Sequence, residues 1–363
     1  MTAERPRDRR SSRGRRGRDA GRDGPRVGGP SGDGRPEKLP DLDGVLVVRK
    51  PIGPTSHDIV ALIRQLASTR RVGHGGTLDP FASGVLPVFL GHATRVVEYH
   101  MGDRKEYRAT VCFGATSTTD DLEGELTPAA GPPVTRDALE NALPAFRGGI
   151  VQVPPAYSAV KVAGRRAYAL ARAGKAPELA PRTVTIHALD LVEWDATDPH
   201  RPVAIVDVTC SAGTYVRALA RDLGTALGSA AYLGALVRTA SGPFRIDAAV
   251  PVDDLREAGR EAIARLLLPV DAGLEALPAI EIDAMALEAI RRGQRVPDPV
   301  RPEPGTDVGP EVLVRLRAPG RGLVAIGRRS DGWIAPVKVL VEAPVAADGS
   351  GGGRDGRAAR GDA

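Results

Sequence analysis

The chain has 363 residues, 42% of them hydrophobic, and a formal net charge of +5. That is enough for one large domain plus a small one. Residues 1–40 hold 12 Arg/Lys and 6 Asp/Glu, so the excess positive charge sits there. The rest is not globally basic, and a polyanionic partner must meet a local patch.

Residues 1–40 and 344–363 are Arg-, Gly- and Asp-rich with almost nothing to bury, and are expected to be disordered tails. The first tail reads as a solvated segment or as an arm adding non-specific RNA affinity. Order is expected from Leu42. A short strand, Val45–Val48, leads through a Pro/Gly turn into a helix. Thr55 and Ser56 are its candidate caps, and Ile59, Val60, Ile63 and Leu66 form its apolar stripe.

GVLPVFLG reads as a buried strand and HATRVVEYHM as a helix. KEYRATVCFG alternates with period two, placing Tyr107, Ala109, Val111 and Phe113 on one face. Residues 116–133 form an acidic loop, with Asp120, Asp121, Glu123 and Glu125 read as exposed. TRDALENALPAF is a capped helix, and 182–194 and 203–210 are strands joined by the loop DATDPHRP. SAGTYVRALARDLGTALG is an amphipathic helix. Val216, Leu219, Ala220, Leu223 and Leu227 face inward, and Arg217 and Arg221 share the polar side.

After a seam near LPVDAGLEALPAI come a short helix (AMALEAIRRG), a Pro-rich loop and three strands. Their size is that of a small β-barrel module. Cys112 and Cys210 lie far apart in apolar alternating stretches and read as buried, reduced thiols. No apolar run approaches the ~18 residues of a membrane span. The first 30 residues lack the apolar core of a signal peptide. The expectation is a cytoplasmic chain without membrane contact, monomeric by default.

Standard active-site plans fail on spacing. The six histidines are scattered, with no HxxxH and no CxxC, so no metal site is expected. GHGGTLDP lacks the GK[ST] ending of a phosphate loop, and neither a GxSxG elbow nor a strand-linked GxGxxG occurs. The segment that stands out is GHGGTLDPFASGVLPVFLG, residues 73–91, whose lone carboxylate is Asp79. Its glycines permit tight turns and close approach of a ligand. Pro80 holds Asp79 extended, which aims a short carboxylate. From spacing alone, an Asp capping a turn before a strand is an equally good reading.

This segment resembles the active-site motif of the bacterial TruB type of tRNA pseudouridine synthase, GHxGxLDPxAxGxLPxxxG, at every fixed position. KPIGPTSHDIV, KEYRATVCFGATSTTDDLEGE, PPAYSAVKVAGRRAYALARAG and CSAGTYVRALARDLG resemble further blocks of that family in the right order, over roughly residues 42–278. AIGRRSDGWIAPVKVLV is similar, more loosely, to the family's small RNA-binding PUA domain. The resemblance implies an α+β fold, with a mixed, largely antiparallel sheet flanked by helices and a PUA-like barrel beside it. The implied division is a catalytic domain at 41–278 and a PUA-like domain at 279–343.

The implied activity is isomerisation of the T-loop uridine of tRNA, position 55 in conventional tRNA numbering, to pseudouridine. No cofactor, metal or guide RNA takes part. An isomerisation activates no water and hands no group away, so one carboxylate suffices. Whether Asp79 attacks the sugar or removes a C2′ proton stays open. The resemblance assigns Arg217 as the ion-pair partner that orients Asp79 and lowers its pKa. Tyr107 is the ring that stacks on the flipped uracil, and Tyr215 and Leu236 are pocket walls. His74 fills the gap left by the base. The block YLGALVRTASG departs from the family at Val237, where an LRR-like run is expected. Arg64, Arg70, Arg71, Arg165 and Arg166 are candidate tRNA contacts. Lys50 and Lys161 match as structural or RNA-facing residues. The rival readings are a non-catalytic tRNA-binding protein, a guide-RNA-dependent relative, and a glycoside hydrolase, which needs a second carboxylate.

Overall fold

The computed structural model of the chain describes residues 42–299 and 311–341, apart from 159, 163, 173 and 175–177. Both expected tails and most of the Pro-rich loop after Gly293 lie outside the described residues.

Ten strands form the main sheet. Its path runs Val250–Pro251, Gly44–Lys50, Ser83–Leu90, Ala231–Ser241, Lys105–Phe113, Val203–Cys210, Arg182–Asp195 and Gly148–Gln152; Val72–His74 and Phe244–Arg245 add at the side. Pairing is antiparallel except where Ala231–Ser241 meets Ser83–Leu90 and where Gly44–Lys50 meets Val250–Pro251. The fold is therefore α+β with a mixed, largely antiparallel sheet.

Alternation explains why Gly44–Lys50 is buried almost throughout. Leu46 and Val48 join Leu86, Val88 and Leu90 under the helix Ser56–Leu66, whose Ile59, Val60 and Ile63 complete that cluster. Val45 and Val47 face the other way, with Val85 and Phe89, and there Leu323, Ile326 and Leu340 of the C-terminal region cover them. A strand covered on both faces reads as a continuous apolar run rather than an alternating one. Further along the sheet, the helix Val216–Ala226 buries Val216, Leu219, Ala220 and Leu223 against Ala109, Val111, Val206 and Leu233.

The C-terminal sheet has five strands in the order Ala279–Glu281, Val312–Ala318, Gly322–Ser330, Trp333–Val339 and Val296–Pro297. The helix Ala284–Arg291 contributes Leu287 and Ile290 to its core. Two of these strands were not expected from sequence, because three and two residues are too few to show a period. The module is PUA-like.

Several sequence expectations are corrected. HATRVVEYHM is a 3-10 turn, Gly91–Arg95, and then one helical turn, Val97–His100. The loop 116–133 contains a hairpin, Ala115–Ser117 with Leu126–Pro128. The helix Val252–Leu266, interrupted at Gly259 (φ 65°), was not anticipated. Cys112 is only half-buried; Cys210 is buried, and both are free thiols. Thr55, not Ser56, caps its helix, in a reciprocal box with Asp58. No helix among the described residues is long and apolar enough to cross a membrane.

Candidate active site

Asp79 lies in the loop between Val72–His74 and Ser83–Leu90. Leu78 and Phe81 beside it are buried at 3% and 4% exposure and anchor the loop in the core. Its backbone is tied from several sides. Ser56 Oγ donates to the Leu78 carbonyl (3.0 Å) and accepts from the Leu78 amide (2.8 Å). Lys50 is fully buried, and its Nζ donates to the carbonyls of Pro51 (2.9 Å), Pro80 (3.3 Å) and Ala82 (2.7 Å). Burial lowers the Lys50 pKa to about 8. This lysine is structural, not RNA-facing. Gly76 adopts φ 135°, where a side chain is strained.

With the loop fixed, the Asp79 carboxylate stays 36% exposed, and Arg217 Nε stands 3.0 Å from its Oδ2. Sequence periodicity put Arg217 on the polar side of its helix with Arg221, yet Arg217 is 4% exposed. It sits in the first turn, two residues after the cap residue Tyr215. Its Nη1 lies 3.2 Å from Asp121 Oδ2 and donates to the Thr119 carbonyl (3.0 Å); Nη2 donates to the Tyr157 carbonyl (2.9 Å).

Asp121 is the second correction. It was expected in an exposed acidic loop and is 3% exposed. Its carboxylate accepts from Thr119 Oγ1 (2.5 Å) and the Glu123 amide (3.0 Å). Asp120 is also drawn in, 2.8 Å from Arg221 Nη1. Thus Arg217 bridges two carboxylates, one partly exposed and one enclosed. The Asp79 pKa is accordingly raised, not lowered as expected. Burial is the main cause and outweighs the pull of Arg217, and the Asp121 charge adds to the rise.

The remaining expected residues gather around this pair to different degrees. Tyr107 is half-buried and packs on the cluster that holds Leu78, Phe81 and the 7%-exposed Leu236. Burial raises the Tyr107 pKa, and the Arg238 guanidinium beside its hydroxyl opposes the rise. Tyr215 is held by its backbone: its N–H donates to Gln152 Oε1 (2.9 Å) and its carbonyl accepts from Gln152 Nε2 (3.0 Å). Arg182 stacks over its ring, 4.6 Å from the centroid.

His74 Nδ1 accepts from the Gly76 amide (3.2 Å). Burial, with the nearby His57 and Arg238, lowers its pKa to about 4, so the ring is neutral near pH 7. Arg64, Arg70, Arg71 and Arg165 are exposed. Arg64 Nη2 donates to the Val72 carbonyl (2.9 Å). The side chains of Arg166 and Lys161 lie outside the described ones. Among the described residues, no group of three or more His, Cys, Asp or Glu side chains is arranged to hold a metal ion.

Two residues at the site were missed: Asp121 and Arg238. Nothing in the polar run TSTTDDLEGE separates a buried aspartate from a solvated one. Arg238 had a signal. In ALVRTAS, period-two counting from the inward Leu236 also turns Arg238 inward, and it is 1% exposed.

Comparison with known proteins matches this geometry. A chain from the crystal structure of a Cbf5–Nop10–Gar1 complex superposes with a TM-score of 0.61 at 27% identity, over 85% of this chain and 88% of that one. One from an H/ACA RNP bound to a substrate RNA containing 2′-deoxyuridine gives 0.60 at 26%, over 86% and 94%. The fold is thus that of pseudouridine synthases. Residues 64–216 match the model of the TruB family pseudouridylate synthase N-terminal domain, and residues 217–275 that of the tRNA pseudouridylate synthase B C-terminal domain. The tRNA pseudouridine synthase B of Bradyrhizobium diazoefficiens is 42% identical over 306 residues, 83% of this chain and 86% of the relative. That of Gloeobacter violaceus is 46% identical over 258 residues, 70% and 87%. The chain belongs to the TruB family of pseudouridylate synthases.

Proposed function

We propose that this chain converts the T-loop uridine of tRNA, position 55 in conventional numbering, to pseudouridine, using Asp79 as its single working carboxylate. As a family member it is a tRNA pseudouridine synthase; the position in tRNA and the residue roles are our reading. The observation that carries it is the half-exposed Asp79 carboxylate held by the buried guanidinium of Arg217.

The N1–C1′ bond of the uridine breaks, the uracil turns, and C5 bonds to C1′; C5 loses a proton and N1 gains one. Nothing enters or leaves overall. Ionised Asp79 either attacks C1′ or takes a proton from C2′, and both routes begin with the same charged oxygen facing the sugar. Arg217 orients that oxygen and holds it ionised against the burial that favours the acid. The base must leave the stack to reach it, at a cost of a few kcal/mol. Tyr107 offers the flipped uracil a flat surface, Leu236 and Tyr215 wall the pocket, and neutral His74 fills the gap in the loop. Arg64, Arg70, Arg71, Arg165 and Arg166 offset the cost through phosphate contacts, so binding weakens with salt. The chain acts alone, without guide RNA or cofactor.

The test uses an unmodified tRNA transcript with wild type and Asp79→Asn, without guide RNA. Wild type yields pseudouridine at the single T-loop position, and Asp79→Asn yields none at unchanged tRNA affinity. Binding without product by wild type favours the non-catalytic binder. Free uracil in solution identifies a hydrolase.

A further inference from the structure

A buried guanidinium beside the site, that of Arg238, has no assigned task. Strand Ala231–Ser241 crosses the middle of the main sheet, and its buried face carries Leu236, Arg238 and Ala240, at 7%, 1% and 1% exposure. A buried guanidinium is costly unless its N–H groups find acceptors. Arg238 meets carbonyls rather than carboxylates. Nε donates to Val85 O (2.7 Å), Nη2 to Gly76 O (3.1 Å) and Nη1 to Thr77 O (3.4 Å). Its guanidinium also lies close enough to the Tyr107 hydroxyl to oppose the rise of that group's pKa.

These acceptors come from separate parts of the fold. Gly76 and Thr77 precede Asp79 in the loop, and Val85 opens the strand that follows it. Tyr107 lies directly across from Arg238 on the neighbouring antiparallel strand. On the other side Gly84 is its parallel partner, where an added Cβ would stand 2.2 Å from the Arg238 carbonyl oxygen. One rigid, planar fork therefore ties the backbone that carries Asp79 to the strand position directly opposite Tyr107. A lysine, with a single flexible ammonium, cannot span the same set.

We propose that Arg238 is a positioning residue for the isomerisation: it sets the separation and tilt between the Tyr107 ring and the Asp79 carboxylate. The uracil must turn over Tyr107 while its sugar stays at Asp79. A drift of either surface therefore slows the chemical step after the base has entered. The proposal rests on the roles given above to Asp79 and Tyr107.

The experiment measures single-turnover conversion, tRNA affinity and the melting midpoint for wild type, Asp79→Asn, Arg238→Lys, Tyr107→Phe and the Arg238→Lys/Tyr107→Phe double variant. A misplacement of ~1 Å costs on the order of 10²-fold in rate, and that loss is expected for Arg238→Lys at unchanged affinity. The double variant should lose less than the product of the two single losses, because both disturb one contact between directly opposed residues of neighbouring strands. Three results overturn the proposal: a wild-type rate per folded molecule in Arg238→Lys with only a lower melting midpoint, a loss confined to affinity, or multiplicative losses in the double variant. If Arg238→Lys does not fold, Tyr107→Phe decides. A slower rate at an unchanged midpoint supports the link through the hydroxyl, and full speed overturns it. An inactive wild type removes the underlying reading instead. An active wild type, an inactive Asp79→Asn and a full-speed Arg238→Lys remove this inference alone.

Discussion

Asp79 and Asp121 are the same residue type a few tens of positions apart, and the fold gives them opposite surroundings. Asp121 is enclosed and supplied with donors; Asp79 stays partly exposed and shares Arg217 with it. The raised pKa of Asp79, from an ordinary 3.8, has a kinetic consequence. Its working form is the anion, so the single-turnover rate should fall as pH drops through that raised pKa. Asp121→Asn removes a like charge, and the acid limb should then move to lower pH. The maximal rate should fall as well, because Arg217 loses one of its two charged partners. A limb that keeps its position in Asp121→Asn would refute the coupling. His74 titrates at about 4 and overlaps this region, so the same profile in His74→Asn separates the two groups.

The catalytic loop is short and glycine-rich, and it is rigid because neighbouring elements hold it. The capping box of Thr55 and Asp58 fixes where the helix Ser56–Leu66 begins, and that start delivers Ser56 Oγ to both polar groups of Leu78. Ser56→Ala removes no bulk but strands a buried amide and a buried carbonyl. Unpaired buried groups cost about 1–3 kcal/mol each. The expected outcome is a lower melting midpoint together with slower conversion. Thr55→Ala removes about 1 kcal/mol of capping and leaves the Leu78 contacts intact. It should lower the midpoint and spare the rate. Equal rate losses in both variants would show that helix stability, not the Ser56 contact, governs the loop.

Over the whole molecule, the C-terminal sheet is part of the core of the catalytic sheet. Leu323, Ile326 and Leu340 share a cluster with Val45, Val47, Val85, Phe89 and Phe244, and the described residues belong to one compact unit. Lys338 Nζ also pairs with Glu98 Oε1 at 2.9 Å across the same junction. Side chains from both sides of residue 278, where the sequence suggests a division, therefore share one core. A chain ended at 278 loses those three side chains, and each buried Leu or Ile removed costs about 2–5 kcal/mol. It should melt at a lower temperature than the full chain and bind a hydrophobic dye below that temperature. An unchanged midpoint without dye binding would restore the view of two independent modules.

The family, and through it the sheet class, were legible from the resemblance of residues 73–91 and the blocks around them, whereas spacing alone left Asp79 equally readable as a turn cap. The strands that alternate cleanly, such as Val203–Cys210, were legible too, since period two survives wherever one face is buried. The path of the sheet and the central place of Ala231–Ser241 were not, because pairing joins residues far apart in the chain. Burial of Arg217 and Asp121 was decided by tertiary structure alone. A charged residue on a helix or in a polar loop is solvated by default. Only the arrival of distant partners, Asp79, the Tyr157 carbonyl and Arg217 itself, makes its burial stable. The direction of the Asp79 pKa followed the same rule. Sequence supplied the cation that lowers it, and the surrounding packing supplied the larger desolvation that raises it.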